Sequence, residues 1–334
     1  MAGSAGSRPG VKTLMVVLAK LALSAGLMVY LVSRIPLASV RSMLAGADLR
    51  WMTAAWFLML ASNVLGAFQW ARLLHAVEIR IPFWKVCAYY HVGVFFNNFL
   101  PANIGGDIAR VADASRYGTT RGAAVSTVVM DRLIGTVALA GLALISTVPA
   151  INQFHLTMIY LAVVGFFVVS MTLVWVVFHP RLLPGLERLM SRLGFGMLKP
   201  HLDELAARLR GFRDKQRLLG GLLVVGLLVQ LARVGVHMLV ARALGIHVPT
   251  PYFFLFVPLL AVLVSLPISF NGIGLREGAG IVLFGLVGVD RTSAFSLQFT
   301  AYLVAVAVSL LGGLVFFARM PRRSAASRHL RRTS

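Results

Sequence analysis

The segments FFNNFLPANIGGDIAR (95–110) and SLPISFNGIGLREG (265–278) decide how this chain must be laid out in space. Each has Leu-Pro, a short Asn-containing stretch, Gly-rich backbone, then a charged residue and an arginine. No helix runs through either one. Pro101 and Pro267 lack a donor N–H and clash with the preceding turn, while Gly105, Gly106, Gly272 and Gly274 admit backbone shapes closed to other residues. Each break interrupts a short apolar stretch, about 84–100 in the first case and about 252–268 in the second. Backbone left unpaired at membrane depth is tolerated only where protein buries it or where it lines a wet cavity, so both breaks are expected to face inward. A half-helix starting after each glycine turn aims its N-terminal amides at the break, which favours anions. Asn97, Asn98, Asn103 and Asn271 add polar contacts there. The plainer alternative is that Pro and Gly only shape kinks and close packing, as they often do in membrane helices. Two matched clusters with flanking charges favour the cavity.

The rest of the chain agrees with a membrane setting. Of 334 residues 58% are hydrophobic and 13% charged, with a mean hydropathy of +0.83, which is no composition for a water-facing surface. The chain is expected to be an all-α polytopic membrane protein. Its formal net charge of +21 would suit a nucleic-acid binder only if a polar domain carried it, and the longest polar stretch is about 40 residues, so no nucleic-acid partner is expected. The single cysteine, Cys87, excludes disulfide frameworks and cysteine-based metal sites. The eight histidines show no HxxxH spacing, and GxxxxGK[ST] is missing, so neither a metal, nor a nucleotide, nor any other cofactor is expected.

A bilayer core needs roughly 20 apolar residues in a helix. Six stretches suffice: about 13–33, 51–71, 122–148, 156–178, 218–241 and 292–317. Short loops rich in Lys and Arg stay cytoplasmic. The N-terminus (1–12), the connection 72–85, the segment 101–121, the long insert 179–217 and the tail after 318 hold 23 of the 32 Lys and Arg and are all expected inside. The connection 149–155 has no formal charge and 242–251 has only Arg242, so both are expected outside. Segment 34–50, with Arg34, Arg41 and Arg50, is an exception that this topology places outside. If 72–85 and 101–121 are both inside, the element 84–121 must enter the membrane and return. The same parity makes 252–290 enter and return from the opposite face. About six full spans plus two re-entrant hairpins, related as an inverted repeat, make up a transmembrane domain over 13–320, followed by a basic tail, 321–334.

Ionisable residues at membrane depth are site candidates by default. Lys20 can snorkel to the interface, which leaves Arg132, Arg233 and Arg276. Arg132 follows Asp131 and Arg276 precedes Glu277, but neighbours on a helix diverge by about 100°, so partners from other elements are implied. One role is structural, with Arg132 and Arg276 cancelling Glu277 and Asp131 across the bundle. The other is that an arginine holds a phosphate through its planar fork of donors. Arg233 has His237 four positions on, on the same face. The insert 179–217 alternates Leu and Met faces with Arg and Lys and reads as interfacial amphipathic helix on an anionic leaflet.

Through FNNFLPANIGGDIAR (96–110), VVMDRLIG (128–135) and SLPISFNGIGLREG (265–278), in order and spacing, the chain resembles the flippase-like transmembrane family. This is the lysylphosphatidylglycerol synthase transmembrane region, found in the multiple peptide resistance factor of bacteria and in stand-alone proteins. The resemblance covers about residues 10–320. It implies a bacterial inner-membrane protein, with both termini cytoplasmic, whose bundle binds lipid and moves it between leaflets. The soluble synthase domain of the resistance factor has no counterpart after the last helix, so aminoacyl transfer is not expected of this chain and it is not expected to be an enzyme. The expected partner is a lipid with an anionic headgroup, a phospholipid or a polyprenyl phosphate. The phosphate would rest on half-helix amides with Arg276, Arg132 or Arg110, while Asp107, Asp131 and Glu277 pair with those arginines or carry protons. Two alternatives stand beside this. The chain can be a lipid-binding partner of a separately encoded lipid-modifying enzyme, or, more remotely, an intramembrane lipid-phosphate enzyme, since GGDIAR (105–110) resembles the opening of the CDP-alcohol phosphotransferase signature but lacks its further carboxylates. A homo-oligomer is compatible with all of these.

Overall fold

The computed structural model describes residues 37–99, 105–118, 120–147, 157–178, 199–265 and 272–319, with isolated positions 26, 29, 30 and 33. Every element among them is a helix: α1 Leu37–Ala45, α2 Leu49–Ala76, α3 Phe83–Phe99, α4 Gly105–Ala114, α5 Arg121–Thr147, α6 Thr157–Phe178, α7 Lys199–Arg210, α8 Gln216–Ala243, α9 Thr250–Ser265, α10 Leu275–Gly285 and α11 Arg291–Arg319. Four of the six expected spans are long apolar helices: α2, α5, α8 and α11, with 28, 27, 28 and 29 residues. At 1.5 Å per residue each exceeds the roughly 30 Å of a bilayer core. The fifth, α6, is apolar over Tyr160–Val176. The sixth, 13–33, falls outside the described residues except at four positions.

Between these helices sit the two pairs of short ones. Their ends show how the chain turns. At one end of the bundle Lys85 Nζ, at the start of α3, donates to the Tyr117 hydroxyl just after α4, at 3.3 Å. Arg319, closing α11, pairs with Asp113 on α4 at 3.2 Å, and Lys215, before α8, donates to the Ala76 carbonyl at the end of α2. At the opposite end the Asp48 amide donates to the Ala243 carbonyl at 2.8 Å, joining the start of α2 to the end of α8. There Phe253 and Phe256 of α9 meet Phe284 of α10, with ring centroids 5.7 and 5.2 Å apart. The chain therefore enters α3 and leaves α4 at the first end, and enters α9 and leaves α10 at the second. Each pair of short helices thus turns back to the end of the bundle from which it came. The turns themselves, 100–104 and 266–271, lie outside the described residues, and with them Pro101, Asn103, Pro267 and Asn271.

Packing follows from small residues where helices cross. α2 lies along α8, α3 against α11, and α9 against α5. A Cβ on Gly312 of α11 would fall on the backbone carbonyl of His91, and one on Gly106 of α4 would fall on that of Gly93 in α3. These helices touch backbone to backbone. The turn into α10 uses left-handed backbone at Gly272 (φ 75°) and at the N-cap Gly274 (φ 80°), a conformation that side-chain-bearing residues rarely take. Asp290 starts α11 by accepting from the Thr292 and Ser293 amides at 2.9 and 3.0 Å; hydrogen bonds from Ser293 hold its carboxyl below the ordinary value.

The main apolar core joins α8, α9, α10 and α11 through residues such as Val240, Phe256, Leu260, Phe284 and Leu297. The described part of the long insert is anchored on protein. In and just after α7, Leu209 and Phe212 are buried against Leu73, Met130 and Leu222, while 179–198 lie outside the described residues.

Gly312→Ala is expected to destabilise the bundle by about 1–3 kcal/mol, because α3 backbone must shift to admit one methyl group. Thermal unfolding in detergent reads this as a lower midpoint, with Gly165→Ala, where a Cβ meets nothing within 4 Å, as the neutral control.

Candidate functional site

Two polar clusters lie inside the bundle, one behind each hairpin. The first is built on α4. The Asn97 carbonyl oxygen on α3 accepts from the Gly106 amide at 2.9 Å, so one of the free N-terminal donors of α4 is already satisfied by protein. One turn on, Arg110 is 5% exposed. Its guanidinium donates to Asp131 of α5 at 2.7 Å and lies over the rings of Trp70 and Tyr90, with centroids at 4.4 and 4.9 Å. The other Asp131 oxygen accepts from Gln69 of α2 at 2.8 Å. On the other side of α5, Arg132 grips Asp107 with two nitrogens, at 3.1 and 2.9 Å. Two arginines and two aspartates thus neutralise one another.

The second cluster lines a partly open cavity of about 180 Å³ bordered by α2, α5, α8, α9, α10 and α11. Its polar lining is Gln230, Arg233, His237, Arg276, Gln298 and Tyr302, set among Leu, Val and Ala side chains. Arg276 lies over the Tyr302 ring at 4.3 Å. His237 Nδ1 bonds the Arg233 carbonyl at 2.9 Å; a carbonyl only accepts, so the ring proton sits on Nδ1 and Nε2 is turned elsewhere. No carboxylate lines the cavity among the described residues. Glu277 stands behind Arg276, fully buried, with one oxygen 3.7 Å from Arg276 Nε and the other accepting from the Gly274 amide at 2.7 Å.

The pairing across the bundle differs from the one expected. Asp131 is held by Arg110 and Arg132 by Asp107, while Glu277 stays with its own neighbour, so Arg132 and Arg276 do not cancel Glu277 and Asp131. The reason is the divergence of successive residues on α5: Asp131 points inward and is 8% exposed, whereas the Arg132 side chain is half exposed. Among the expected site residues the structure brings Asn97, Gly105, Gly106, Asp107, Arg110, Asp131 and Arg132 to the first cluster, and Arg233, Arg276 and Glu277 to the second. Gly272 and Gly274 form the turn before α10, and Asn98 lies at the inner end of α3. Arg110 and Arg276 occupy matching places, since each follows the proline of its break by nine residues (101 to 110, 267 to 276).

Gln69, Trp70, Tyr90, Gln230, Gln298 and Tyr302 were not singled out from sequence. Their one signal is a polar atom in an apolar helix, and for Gln298 and Tyr302 the four-residue spacing that stacks side chains on one face.

Asp131→Ala is expected to cost about 3–5 kcal/mol by stranding a buried guanidinium. The double variant Arg110→Leu/Asp131→Leu should recover most of the loss. Thermal unfolding of the purified proteins reads both, and a double variant no more stable than the single one refutes the pairing as the source of the cost.

No curated protein sequence matches the chain. A family profile described as "Lysylphosphatidylglycerol synthase TM region" matches residues 17–313, spanning both hairpins and both clusters. With its four long apolar helices the chain is a multi-pass membrane protein, and it belongs to the lysylphosphatidylglycerol synthase transmembrane-region family, whose members are tied to lipid modification or transport.

Proposed function

We propose that the chain is a lipid translocase that takes the anionic headgroup of a phospholipid or polyprenyl phosphate into the cavity lined by Arg233, His237 and Arg276 and passes it between leaflets. The observation that carries this reading is the charge of that cavity. Two guanidinium groups line it with no carboxylate in the lining among the described residues: Arg233 is exposed, and Arg276 is partly buried with Glu277 behind it, whereas Arg110 is buried and paired with Asp131. An arginine fork suits phosphate geometry, and in a medium of low dielectric an anion is the natural counter-charge.

Alternating access is supported by the matching order of helices in α2–α5 and α8–α11, which on this reading are the two halves of an inverted repeat. Each half runs long, short, break, short, long: 28, 17, 10 and 27 residues against 28, 16, 11 and 29. The packing of α3 on α11 has its counterpart in α9 on α5, and the hairpins enter from opposite ends. Such repeats place substrate sites near the bilayer midplane, at the interface between halves. The end carrying Arg72, Lys85, Arg116, Arg121, Lys215 and Arg319 is the cytoplasmic one by the positive-inside rule, which puts both termini in the cytoplasm of a bacterial inner-membrane protein. The chain itself performs no covalent step in this scheme. The driving force is a gradient or the lipid's own imbalance.

Reconstituted into liposomes, the protein is expected to accelerate headgroup exchange of an anionic lipid, and Arg233→Ala and Arg276→Ala are each expected to slow it by about ten-fold or more, the loss of a charge-assisted hydrogen bond. Arg80→Ala, in the basic loop after α2, serves as control. Exchange rates unchanged by Arg276→Ala would refute the proposal. Lipid bound stoichiometrically but not exchanged would favour the partner of a separate lipid-modifying enzyme.

A further inference from the structure

At the basic end of the bundle one network of side chains ties three helix ends together. Lys85 Nζ at the start of α3 donates to the Tyr117 hydroxyl just after α4 at 3.3 Å, and that hydroxyl lies 3.0 Å from the one on Tyr89. Arg319, the last residue of α11, lays its guanidinium over the Tyr89 ring at 4.3 Å and pairs with Asp113 of α4 at 3.2 Å. The mouth of the first hairpin is closed by Lys85, Tyr89 and Tyr117, and Arg319 fastens α11 across it. Neither polar cluster inside the bundle contributes a residue.

The second hairpin is held differently. Phe253, Phe256 and Phe284, each 3% exposed or less, meet there, and Tyr252 stacks on Phe256 at 5.8 Å. Parting buried rings forfeits their packing outright. At the first mouth Tyr117 is 38% exposed, and the Arg319 and Asp113 side chains are 34% and 14% exposed. Water replaces each of these bonds as it breaks, so each holds weakly. Lys85 and Arg319 are also long enough to let go without a shift of backbone. Neighbouring charge lightens the hold further: within 83–121 the carboxylates are Asp107 and Asp113, against Lys85, Arg110, Arg116 and Arg121. Asp107 is already gripped by Arg132. Asp113 therefore holds Arg319 among groups of the same sign as Arg319. Contacts that join three helix ends, break cheaply and lie outside the apolar core are those of a catch, not of a foundation.

We propose that Lys85, Tyr89, Tyr117, Asp113 and Arg319 form a latch that holds the first hairpin closed against α11, and that its release lets α3 and α4 part from α11 at the basic end. On the translocase reading, on which this last step rests, the released form is the one open at that end. The second hairpin has no such catch among its described residues, so the two ends open by different means.

Hydrogen exchange of the purified full chain in detergent tests the latch without any lipid, since it reads local opening. Arg319→Ala and Tyr117→Phe are each expected to speed exchange of the amides in 86–92 and 109–114 by about five-fold, the loss of an exposed ion pair and a cation–π contact, or of the phenol bonds. Amides of α9 should be unchanged. Asp113→Asn serves if Arg319→Ala does not fold. Arg208→Ala, which breaks a 2.8 Å pair with Glu204 within α7, is the control and should alter neither region. Unchanged exchange in α3 and α4 overturns the inference, and so does an increase spread equally over α9, which is the mark of a contact that only stabilises the whole bundle. A second arm joins latch to transport. In a Cys87→Ala background, Asp113→Cys and Arg319→Cys are linked by a short bis-maleimide, and the linked protein in liposomes is expected to exchange phosphatidylglycerol about ten-fold more slowly than the same protein unlinked. Equal rates overturn the role of the latch in transport and leave the translocase reading standing. Absence of exchange in the wild-type protein overturns the translocase reading, and the latch then stands or falls by hydrogen exchange.

Discussion

A guanidinium group buried in an apolar bundle must be neutralised or be given something to neutralise, since even lenient scales put a central arginine at about 2.5–3.5 kcal/mol. That constraint organises the described part of this protein. Each half carries an arginine on the short helix after its break, Arg110 on α4 and Arg276 on α10. A full-length helix there would place the charge on the same stripe as its own apolar residues. A half-helix instead starts in the middle of the bundle and delivers the arginine to the inner surface of the long helices. Aromatic faces receive both groups, Trp70 and Tyr90 for Arg110 and Tyr302 for Arg276, so each charge gains a cation–π contact as well as an ion contact.

Returning hairpins make a second demand, because two short helices and the long ones around them must fit where one helix would otherwise stand. Close backbone approach meets it. Gly93 against Gly106 lets α4 fold onto α3, and Gly312 against His91 seats α11 on the same hairpin. In the other half Gly280 performs a different service, admitting the Gln298 side chain in place of backbone. The first hairpin is therefore packed shut, whereas the second has a polar side chain and a cavity beside it.

Much of this layout was legible in the residues. Leu-Pro followed by glycines marks a helix stop, and basic loops on either side of a short apolar run force the chain to return, so both hairpins follow from local chemistry and charge parity. The adjacency of Asp131 and Arg132 also told correctly that each needs a partner from elsewhere. Which partner could not be read. Arg110 and Asp131 are separated by 21 residues and by the 115–120 connection, and nothing local ranks Arg110 above Arg276 as the mate of Asp131. Gln298 was hidden for a different reason: a single amide within an apolar helix looks the same in sequence whether it is bonded to a carboxylate, as Gln69 is to Asp131, or set in the lining of a cavity.

The two halves differ most in what the last long helix brings to the arginine. From α5 comes a carboxylate, Asp131, and from α11 comes a neutral ring, Tyr302. Arg110 is thereby held as a fixed ion pair, and its removal or that of Asp131 acts through stability. Arg276 has its own neighbour Glu277 as carboxylate, with one oxygen 3.7 Å from Arg276 Nε and the other committed to the Gly274 amide, where it holds the turn into α10. If Glu277 moved to face Arg276 fully it would surrender that turn, and the left-handed backbone at Gly272 and Gly274 would lose its brace. The carboxylate beside Arg276 is thus also tied to the architecture of the break. Glu277 therefore serves two groups at once from behind the arginine, and on the proposed reading this leaves the cavity face of Arg276 turned toward an incoming anion.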